Sequence, residues 1–470
     1  MNNLYWITEY LEETKAKWSK ISDFIWDHPE TRFEEFASSS YLKTAIQEEG
    51  FIIHDNIGGM ETAFFAEFGS GKPVIAILGE FDALSGLSQA AGISSERPLV
   101  QNGNGHGCGH NLLGTGAMAA AVALKKFVVE NNIPCTIRYY GCPGEEGGSG
   151  KTFMVRAGAF NDVDCALTWH PNDTTSVMNM SSLANIQVYF RFKGKSAHAA
   201  GSPHLGRSAL DAVELMNIGS NYMREHIIDQ ARIHYAITNS GGLSPNVVQG
   251  FAEVLYLIRA PKTDTVMELF ERVKDVAKGA ALMTGTEIEV VIDKACSNYI
   301  PSNTLNLVMQ EAMIKVGPTK FTAEEKQFAK EIQASLTDEV LREAYQPLSG
   351  IIESDNPLFE EVFPYEKTLS LMPGSTDVAD VSWVTPTAQC NVTTCAIGTP
   401  FHTWQLTAQG KSSSAHKGTL QVAKILFLTS VKLLEEPEIL IEAKKELLQT
   451  VGEKGYVCPI PDEVQPAAVR

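Results

Sequence analysis

Two histidines and a cysteine lie within five residues of one another in the stretch GHGCGHN, residues 105–111, with only glycines between them. Glycine gives up side-chain burial and backbone stability, but it lets a chain bend tightly enough for neighbouring side chains to converge on one point. Thiolate and imidazole are ligands that zinc prefers in proteins. Cys108 and His110 are therefore candidate metal ligands, and His106 is either a group that supports them or only part of the loop.

Other side chains that can bind metals follow predicted strands elsewhere in the chain. They are Glu80, Asp82, Glu145, Glu146, His170 and His402. Open α/β sheets bind ligands at the carboxyl ends of their strands, so these distant residues could converge at one edge. Four or five such ligands with a bridging water suffice for two divalent cations. In the adjacent pair, one glutamate could bind metal while the other acts as general base.

Each of these groups also has a purely structural interpretation. A lone free cysteine is most often a small buried hydrophobe, and a histidine at a strand end, such as His170, is often only hydrogen-bonded. A pair of adjacent glutamates is usually solvated surface. A purely structural interpretation explains each group alone better than it explains all of them together, because the groups cluster at one predicted sheet edge in loops of small residues. The cluster therefore favours a metal site.

Alternating helices and strands must position these groups. The sequence predicts amphipathic helices at 8–29, ended by Pro29, and at 39–51, strands beginning near 72 and at 135 and 163, a helix over 112–132, and a late strand from 390. This alternation predicts an α/β fold with a mainly parallel sheet flanked by helices.

Residues 183–298 differ from this pattern. Apolar and polar residues alternate between 186 and 192, which is typical of a strand with one face toward water. The order strand–helix–strand–strand–helix–strand fits a ferredoxin-like α+β unit. We therefore predict a discontinuous domain, 1–182 and 299–470, with a smaller domain inserted into it at 183–298.

Composition excludes several classes of partner. The 470 residues carry a net charge of −18, which repels phosphate backbones and anionic membranes, so nucleic acid and membrane are not expected partners. No stretch reads as both long and apolar enough to span a bilayer, and the N-terminus lacks the apolar segment of a signal peptide. Eight scattered cysteines are too sparse for a disulfide scaffold, which predicts a reduced, cytoplasmic protein.

Five motifs in chain order carry a resemblance to a known family. They read GHGCGHN, GCPGEEGGSGK, TWHP, GKSAHAAGSPHLGRSALDA and GSTDVADVSW. They resemble the dinuclear-metal aminoacylase and carboxypeptidase superfamily, above all its N-acyl-amino-acid amidohydrolase subgroup, nearly end to end and most weakly around 315–370. The resemblance implies two divalent metal ions per chain, manganese or zinc, and an inserted domain that serves as lid and dimerisation domain. It also implies a homodimer, with a sister subunit as a further partner.

The resemblance also implies residue roles. The implied metal ligands are Cys108, His110, Glu146, His170 and His402. Glu145 is the implied general base, and His198 the histidine that reaches a neighbouring subunit's site. Asn246 and Arg259 are implied to hold a substrate carboxylate, in agreement with the bidentate binding of carboxylates by guanidinium groups. Without the resemblance, a surface ion pair would explain Arg259 equally well.

Two positions depart from the family's pattern. Many members have His-x-Asp after the first strand of the sheet, whereas this chain has Glu80-Phe81-Asp82. This pair is therefore not counted among the metal ligands, and Asp82 is assigned to orienting a ligand. Asn111 stands where related hydrolases often have aspartate, and it could cap the helix that begins there or mark a different substrate choice.

Together these features predict a metal-dependent amidohydrolase that releases a free amino acid from its substrate. Glu145 would take a proton from the attacking water and give it to the departing amine, while the cations stabilise the oxyanion. The resemblance implies p-aminobenzoyl-glutamate, cleaved to p-aminobenzoate and glutamate, as the first choice of substrate. The alternatives are a dipeptidase, a general N-acyl-amino-acid hydrolase, and a non-catalytic subunit that kept the fold.

Overall fold

A seven-stranded sheet forms the centre of the protein in this computed structural model, which describes residues 3–352 and 355–468. The strands of the chain are β1 Ile52–His54, β2 Phe64–Gly69, β3 Val74–Glu80, β4 Thr136–Cys142, β5 Cys165–Asn172, β6 Ser176–Val177, β7 Met180–Ser182, β8 Ala184–Lys193, β9 Arg232–Asn239, β10 Phe251–Ala260, β11 Glu287–Cys296, β12 Ser370–Met372 and β13 Thr387–Thr393. The central order is β1-β2-β4-β3-β5-β13-β6. Because β4, β3, β5 and β13 pair in parallel, the predicted mainly parallel α/β sheet is confirmed.

Helices pack against the sheets and against one another. They are α1 Asn3–Asp27, α2 Phe36–Glu48, α3 His110–Asn131, α4 Glu145–Gly148, α5 Gly150–Arg156, α6 Ala209–Met223, α7 Thr263–Thr284, α8 Asn303–Val316, α9 Ala323–Gln333, α10 Asp338–Tyr345, α11 Val378–Val384, α12 Trp404–Gln409, α13 Ser413–Glu435 and α14 Glu438–Val451. Helix α3 contacts β3, β4 and β5, and α13 contacts β5 and β13. The two predicted N-terminal helices correspond to α1, which ends two residues before Pro29, and α2.

The central strands are buried on both faces. Every residue of β3 and of β4 is buried, as expected for parallel strands covered by helices. Small residues let α3 approach the end of β3 closely. A Cβ added to Gly114 would lie 2.6 Å from the backbone oxygen of Glu80. This close approach brings the first turn of α3 beside the carboxyl end of β3.

Helix α3 also corrects an expectation from the sequence. Its 22 residues, with a mean hydropathy of 1.6 in the most apolar window, are long and apolar enough to cross a membrane by length and composition alone, so the expectation that no such stretch exists is wrong. In this fold 83% of that window is buried inside the protein. The apolar composition is therefore explained by packing in the core.

A second, antiparallel sheet has the order β11-β8-β10-β9 and packs against α6 and α7. Its elements follow the predicted order strand–helix–strand–strand–helix–strand. Ile186, Val188, Phe190 and Phe192 on β8 all have 0% exposure and form one apolar face. The boundaries of an inserted domain at 183–298, and its action as a lid and dimerisation domain, stay predictions.

The close approach of α3 to β3 gives a test of the fold. We expect Gly114→Ala to lower the free energy of unfolding by about 1–3 kcal/mol, because the added methyl must displace the backbone of Glu80. Gly279→Ala in α7 is the matched control, since a Cβ there meets no described atom within 4 Å. Alanine in a helix should stabilise this control by about 0.5–1 kcal/mol. Denaturant unfolding followed by circular dichroism measures both, and equal effects would contradict the close approach.

Candidate metal centre

The carboxyl ends of the parallel strands bring five predicted ligands together. Cys108 lies two residues before α3 and His110 begins it, whereas Glu146 follows β4, His170 lies on β5 and His402 follows β13. Their ligand atoms form two groups, each with all atoms within 4.8 Å of one another: Cys108 with His110 and His170, and Cys108 with Glu146 and His402. The two groups share the thiol of Cys108, so one side chain lies between two possible cation positions.

Individual distances inside this cluster are short. The Sγ atom of Cys108 lies 3.4 Å from Nε2 of His170. Nε2 of His402 lies 3.3 Å from one carboxylate oxygen of Glu146, and Nε2 of His110 lies 3.9 Å from the other. The spacing is that of side chains facing a common centre.

Hydrogen bonds orient two of the imidazoles. Nδ1 of His170 lies 2.7 Å from the carbonyl oxygen of Pro171, and Nδ1 of His110 lies 2.9 Å from Oδ1 of Asp82. Both acceptors take the Nδ1 proton, so the Nε2 lone pairs face the cluster. Among the described residues, Nε2 of His110 and Oε1 of Glu146 are buried without a hydrogen-bond partner. A cation between such atoms would satisfy both, so the residues fit a metal centre.

The loop that carries His402 has an unusual backbone. His402 has φ 59°, in the left-handed region that residues other than glycine rarely adopt. Its backbone N–H donates to the carbonyl oxygen of Gly107 at 2.8 Å, which ties this loop to the GHGCGHN loop. The strained conformation therefore aims a half-exposed imidazole at Glu146.

The adjacent glutamates differ in their electrostatic surroundings. Burial and the nearby carboxylates of Glu80 and Glu146 raise the pKa of Glu145 well above its usual value. Burial acts in the same direction on Glu146, but hydrogen bonding to His402 and the charge of His110 outweigh it and lower the pKa of Glu146 to about 2. Glu146 is thus suited to bind a cation and Glu145 to accept a proton.

The thiol of Cys108 depends on a cation for its charge. Burial, and then the carboxylate of Glu146, raise the pKa of Cys108 well above its usual value. A thiolate binds zinc far better than a thiol, and a bound cation removes the thiol proton. Metal binding at Cys108 should therefore release a proton.

Lys151 is a functional residue that the sequence reasoning missed. It has 0% exposure, and its Nζ lies 2.6 Å from an oxygen of Glu80 and also contacts Asp377. Glu80 is thereby paired with an internal ammonium group, while its other oxygen lies 3.3 Å from Nε2 of His110. Lys151 follows the glycine run of GCPGEEGGSGK and Asp377 lies in GSTDVADVSW, but spacing alone does not reveal that the two side chains meet.

Two further residues of the GHGCGHN loop have structural roles. The ring of His106 is buried, and its Nε2 lies 2.9 Å from the carbonyl oxygen of Ile25 on α1. Burial lowers the pKa of His106 to about 4, which keeps this ring neutral. The prediction that Asn111 caps α3 is wrong. The helix begins one residue earlier, and the Asn111 amide donates to Ser22 and Gly410, where it anchors α3 to α1.

The predicted substrate-binding residues lie on the second sheet and its loops. Nη1 of Arg259 on β10 donates to Oγ of Ser375 at 2.9 Å, and its buried Nε has no hydrogen-bond partner among the described residues. His198 and Asn246 are exposed and neighbouring, since the N–H of Ala199 donates to the carbonyl oxygen of Asn246 at 3.0 Å. Within the described ranges, no hydrogen bond joins either of them to the cluster of candidate ligands.

Comparisons with known proteins agree with this geometry. Residues 76–335 match the family described as peptidase family M20/M25/M40. One subunit of the p-aminobenzoyl-glutamate hydrolase of Escherichia coli (strain K12) is 50% identical over 481 aligned residues, which cover 100% of both chains. The Xaa-Arg dipeptidase of Mus musculus is 27% identical over 93% of this chain and 90% of its own. A solved dinuclear metal-binding peptidase of family M20 from Bacillus subtilis shares the fold, with a TM-score of 0.55 and 18% identity over 90% of this chain and 99% of that chain.

Asp82 offers a test of the metal centre because it accepts two hydrogen bonds. One oxygen pairs with Nδ1 of His110 and the other accepts the backbone N–H of Glu146, both at 2.9 Å. Asparagine has one acceptor oxygen, so Asp82→Asn should misorient one candidate ligand and weaken zinc or manganese binding about ten- to hundredfold.

Equilibrium dialysis with elemental analysis measures this affinity. Asp23→Asn is the matched control, since Asp23 accepts from Nε2 of His416 at 3.0 Å outside the cluster. The control should bind metal as the unchanged protein does. Equal affinities for the Asp82 and Asp23 variants would contradict the role given to Asp82.

Proposed function

We propose that this chain hydrolyses p-aminobenzoyl-glutamate to p-aminobenzoate and glutamate. The chain belongs to peptidase family M20/M25/M40 and is a metal-dependent amidohydrolase. The observation that carries the proposal is the 50% identity to a subunit of the Escherichia coli p-aminobenzoyl-glutamate hydrolase along the full length of both chains. The family match also confirms the resemblance found in the motifs.

Two cations per chain fit the cluster, with Cys108 shared between them. His110 and His170 would complete one position, and Glu146 and His402 the other. A thiolate favours zinc, whereas imidazole with carboxylate also suits manganese, so either ion is compatible with this ligand set. The bound cations would supply a water of lowered pKa and polarise the carbonyl of the scissile amide.

Glu145 is the proposed general base of the reaction. Its carboxylate lies within 4.8 Å of Glu80 and of His110, beside the cluster of ligands, and its pKa is raised by burial and neighbouring carboxylates. A carboxylate of this kind accepts a proton from water and returns it to the departing amine near neutral pH. Glu80 is paired with Lys151, which leaves Glu145 as the carboxylate beside the cluster for this transfer.

The proposed carboxylate-binding residue is Arg259. Because its Nη1 donates to Ser375, the edge formed by Nε and Nη2 is left for a carboxylate, and the buried, unpaired Nε supports such a ligand. Asn246 would add a neutral donor. His198 accepts the backbone N–H groups of Ala200 and Gly201 at Nδ1, which leaves Nε2 to donate to a neighbouring subunit's substrate.

A homodimer is the proposed assembly, with a sister subunit as a further partner. Strand β9 is the outer strand of the second sheet, and Tyr235 and Ile237 on it are exposed, as is Tyr222 on α6. An exposed strand edge beside apolar side chains favours pairing with another chain. The similar Escherichia coli protein is itself named as one subunit of its enzyme, which supports the sister subunit.

The proposed location is the cytoplasm. All eight cysteines are free, and seven of them are buried. Reduced thiols are typical of proteins in a reducing compartment.

A dipeptidase is the second candidate function. The mouse Xaa-Arg dipeptidase is 27% identical along 93% of this chain, so the same cluster could serve a peptide bond. A panel of p-aminobenzoyl-glutamate, N-acetyl-glutamate and Xaa-Arg dipeptides, assayed with added manganese or zinc, separates the two. Preference for the dipeptides would replace the first proposal.

The role of Glu145 is tested by Glu145→Gln. The amide cannot take up the proton of water, so hydrolysis of p-aminobenzoyl-glutamate should fall about 10²–10⁴-fold while bound metal stays the same. Release of p-aminobenzoate measures turnover, and elemental analysis measures metal. Glu34→Gln is the control, because Glu34 is an exposed glutamate between α1 and α2, and this variant should keep full turnover. Near-normal turnover of the Glu145 variant would refute the assignment.

The role of Arg259 is tested by Arg259→Gln with two substrates. Loss of a charged hydrogen-bond pair should lower kcat/KM for p-aminobenzoyl-glutamate about ten- to hundredfold. The effect should vanish for an analogue whose glutamate α-carboxylate is replaced by a carboxamide. Arg191→Gln on β8, whose side chain pairs with Glu253, should leave both substrates unaffected. If Arg259→Gln lowers kcat/KM equally for both substrates, Arg259 does not bind the α-carboxylate.

A further inference from the structure

The segment DHPETRFEEF, residues 27–36, lies beneath the loop that carries the two active-site glutamates. It joins α1 to α2, and its side chains contact the loop between β4 and α5 from one side. The proposed reaction assigns this segment no role. Three of its side chains, Arg32, Phe33 and Glu35, account for the contacts.

Arg32 connects the glutamate loop to the second sheet. Its Nη1 donates to the carbonyl oxygen of Gly147, the residue that follows Glu146. The same guanidinium binds Asp293 on β11 bidentately, with Nη1 and Nη2 at 2.9 and 3.0 Å from the two carboxylate oxygens. Both side chains are only 5% exposed, so the pair is shielded from water and salt.

The position of Asp293 depends on an irregularity in the second sheet. The pairing of β11 with β8 shifts register between Ile292 and Lys294, which makes Asp293 an extra residue in the strand. A β-bulge of this kind re-aims a side chain, and bulges are over-represented next to active sites. Nε2 of Gln187 on β8 donates to the same carboxylate at 2.7 Å, which fixes its orientation.

Phe33 and Glu35 also contact the glutamate loop. The backbone N–H of Gly144 donates to Glu35 at 2.9 Å. The ring of Phe33, a residue with φ 63°, packs so closely on the loop that a Cβ on Gly148 would lie 2.5 Å from it. These contacts join the loop to the 27–36 segment, whereas Arg32 joins it to Asp293 of the second sheet as well.

We propose that Arg32 is a positioning residue. By joining Gly147 to Asp293 of the second sheet, it fixes where the neighbouring Glu145 and Glu146 lie. The inference rests on the proposed function, in which these glutamates act as general base and metal ligand. Arg259, the proposed carboxylate-binding residue, lies on β10 of the same sheet, and both β10 and β11 pair with β8. One sheet therefore carries both Arg259, which would bind the substrate's carboxylate, and Asp293, which holds Arg32 beside the glutamate loop.

The test replaces the ion pair without leaving a buried charge. Single substitutions of buried charged partners often unfold a protein, whereas an apolar pair in their place is often tolerated. In the full-length double variant R32M/D293L, loaded with manganese or zinc, kcat for p-aminobenzoyl-glutamate should fall about ten- to hundredfold, because misplacement by about 1 Å has this cost. KM should stay within about twofold of the unchanged enzyme, since the carboxylate-binding residues are retained.

A matched double variant controls for loss of an ion pair as such. Arg191 and Glu253 form a cross-strand pair on the same sheet at 2.6 Å, and R191M/E253M should leave kcat unchanged. Hydrogen exchange of residues 141–150 gives a readout that is independent of turnover, and it should be about tenfold faster in R32M/D293L only.

The outcomes separate this inference from the proposed function. If the unchanged enzyme does not hydrolyse p-aminobenzoyl-glutamate with either ion, the proposed function fails, and faster exchange in R32M/D293L still supports positioning by Arg32. If the unchanged enzyme is active and R32M/D293L keeps its kcat, the inference is overturned and the function stands. Equal losses of kcat in R32M/D293L and R191M/E253M would also overturn it.

Discussion

Mutual repulsion among buried carboxylates is the constraint on which this site depends. Glu80, Asp82 and Asp377 are each at most 3% exposed and lie near Glu145 and Glu146. Unpaired charges in such a setting cost several kcal/mol each, so the cluster must contain positive charge. Lys151 supplies one positive charge, which contacts Glu80 and Asp377. Nδ1 of His110 forms a hydrogen bond with Asp82, and its Nε2 faces the cluster of candidate ligands. The remaining negative charge and the unpaired ligand atoms are what make the site suited to divalent cations.

Sheet topology explains how side chains that are far apart in the sequence come together at one site, although no single sequence motif contains them all. Parallel strands begin at one edge and end at the other, so the loops after β3, β4, β5 and β13 share one edge. Each loop is then fixed by a contact from another part of the chain. His402 is tied to Gly107, and Glu146 to Asp82. Such contacts make the geometry of the site a property of the whole sheet and its loops.

The sequence predicts the sheet, most of its helices and the residues that cluster, because strand alternation and polar groups at strand ends are local signals. It does not predict the burial of Lys151 between Glu80 and Asp377, because a lysine after a glycine run reads as an exposed side chain. The contact of Arg32 with Asp293 depends on a bulge 261 residues away. A cap at Asn111 is a wrong prediction because α3 begins at His110, two residues before the predicted start at 112. The apolar length of α3 resembles a membrane span until its burial is known.

The proposed site is divided between two sheets, and this division would separate chemistry from recognition. The candidate ligands and Glu145 lie at the ends of strands of the seven-stranded sheet, in the loops after them or at the start of α3, whereas Arg259, His198 and Asn246 belong to the second sheet and its loops. Hydrolysis of an amide needs only the first set, so relatives that act on dipeptides and on aroyl-glutamates can share it. In the proposed site, substrate choice would depend on the second set, and the buried ion pair of Arg32 with Asp293 would link recognition at one sheet to reaction at the other.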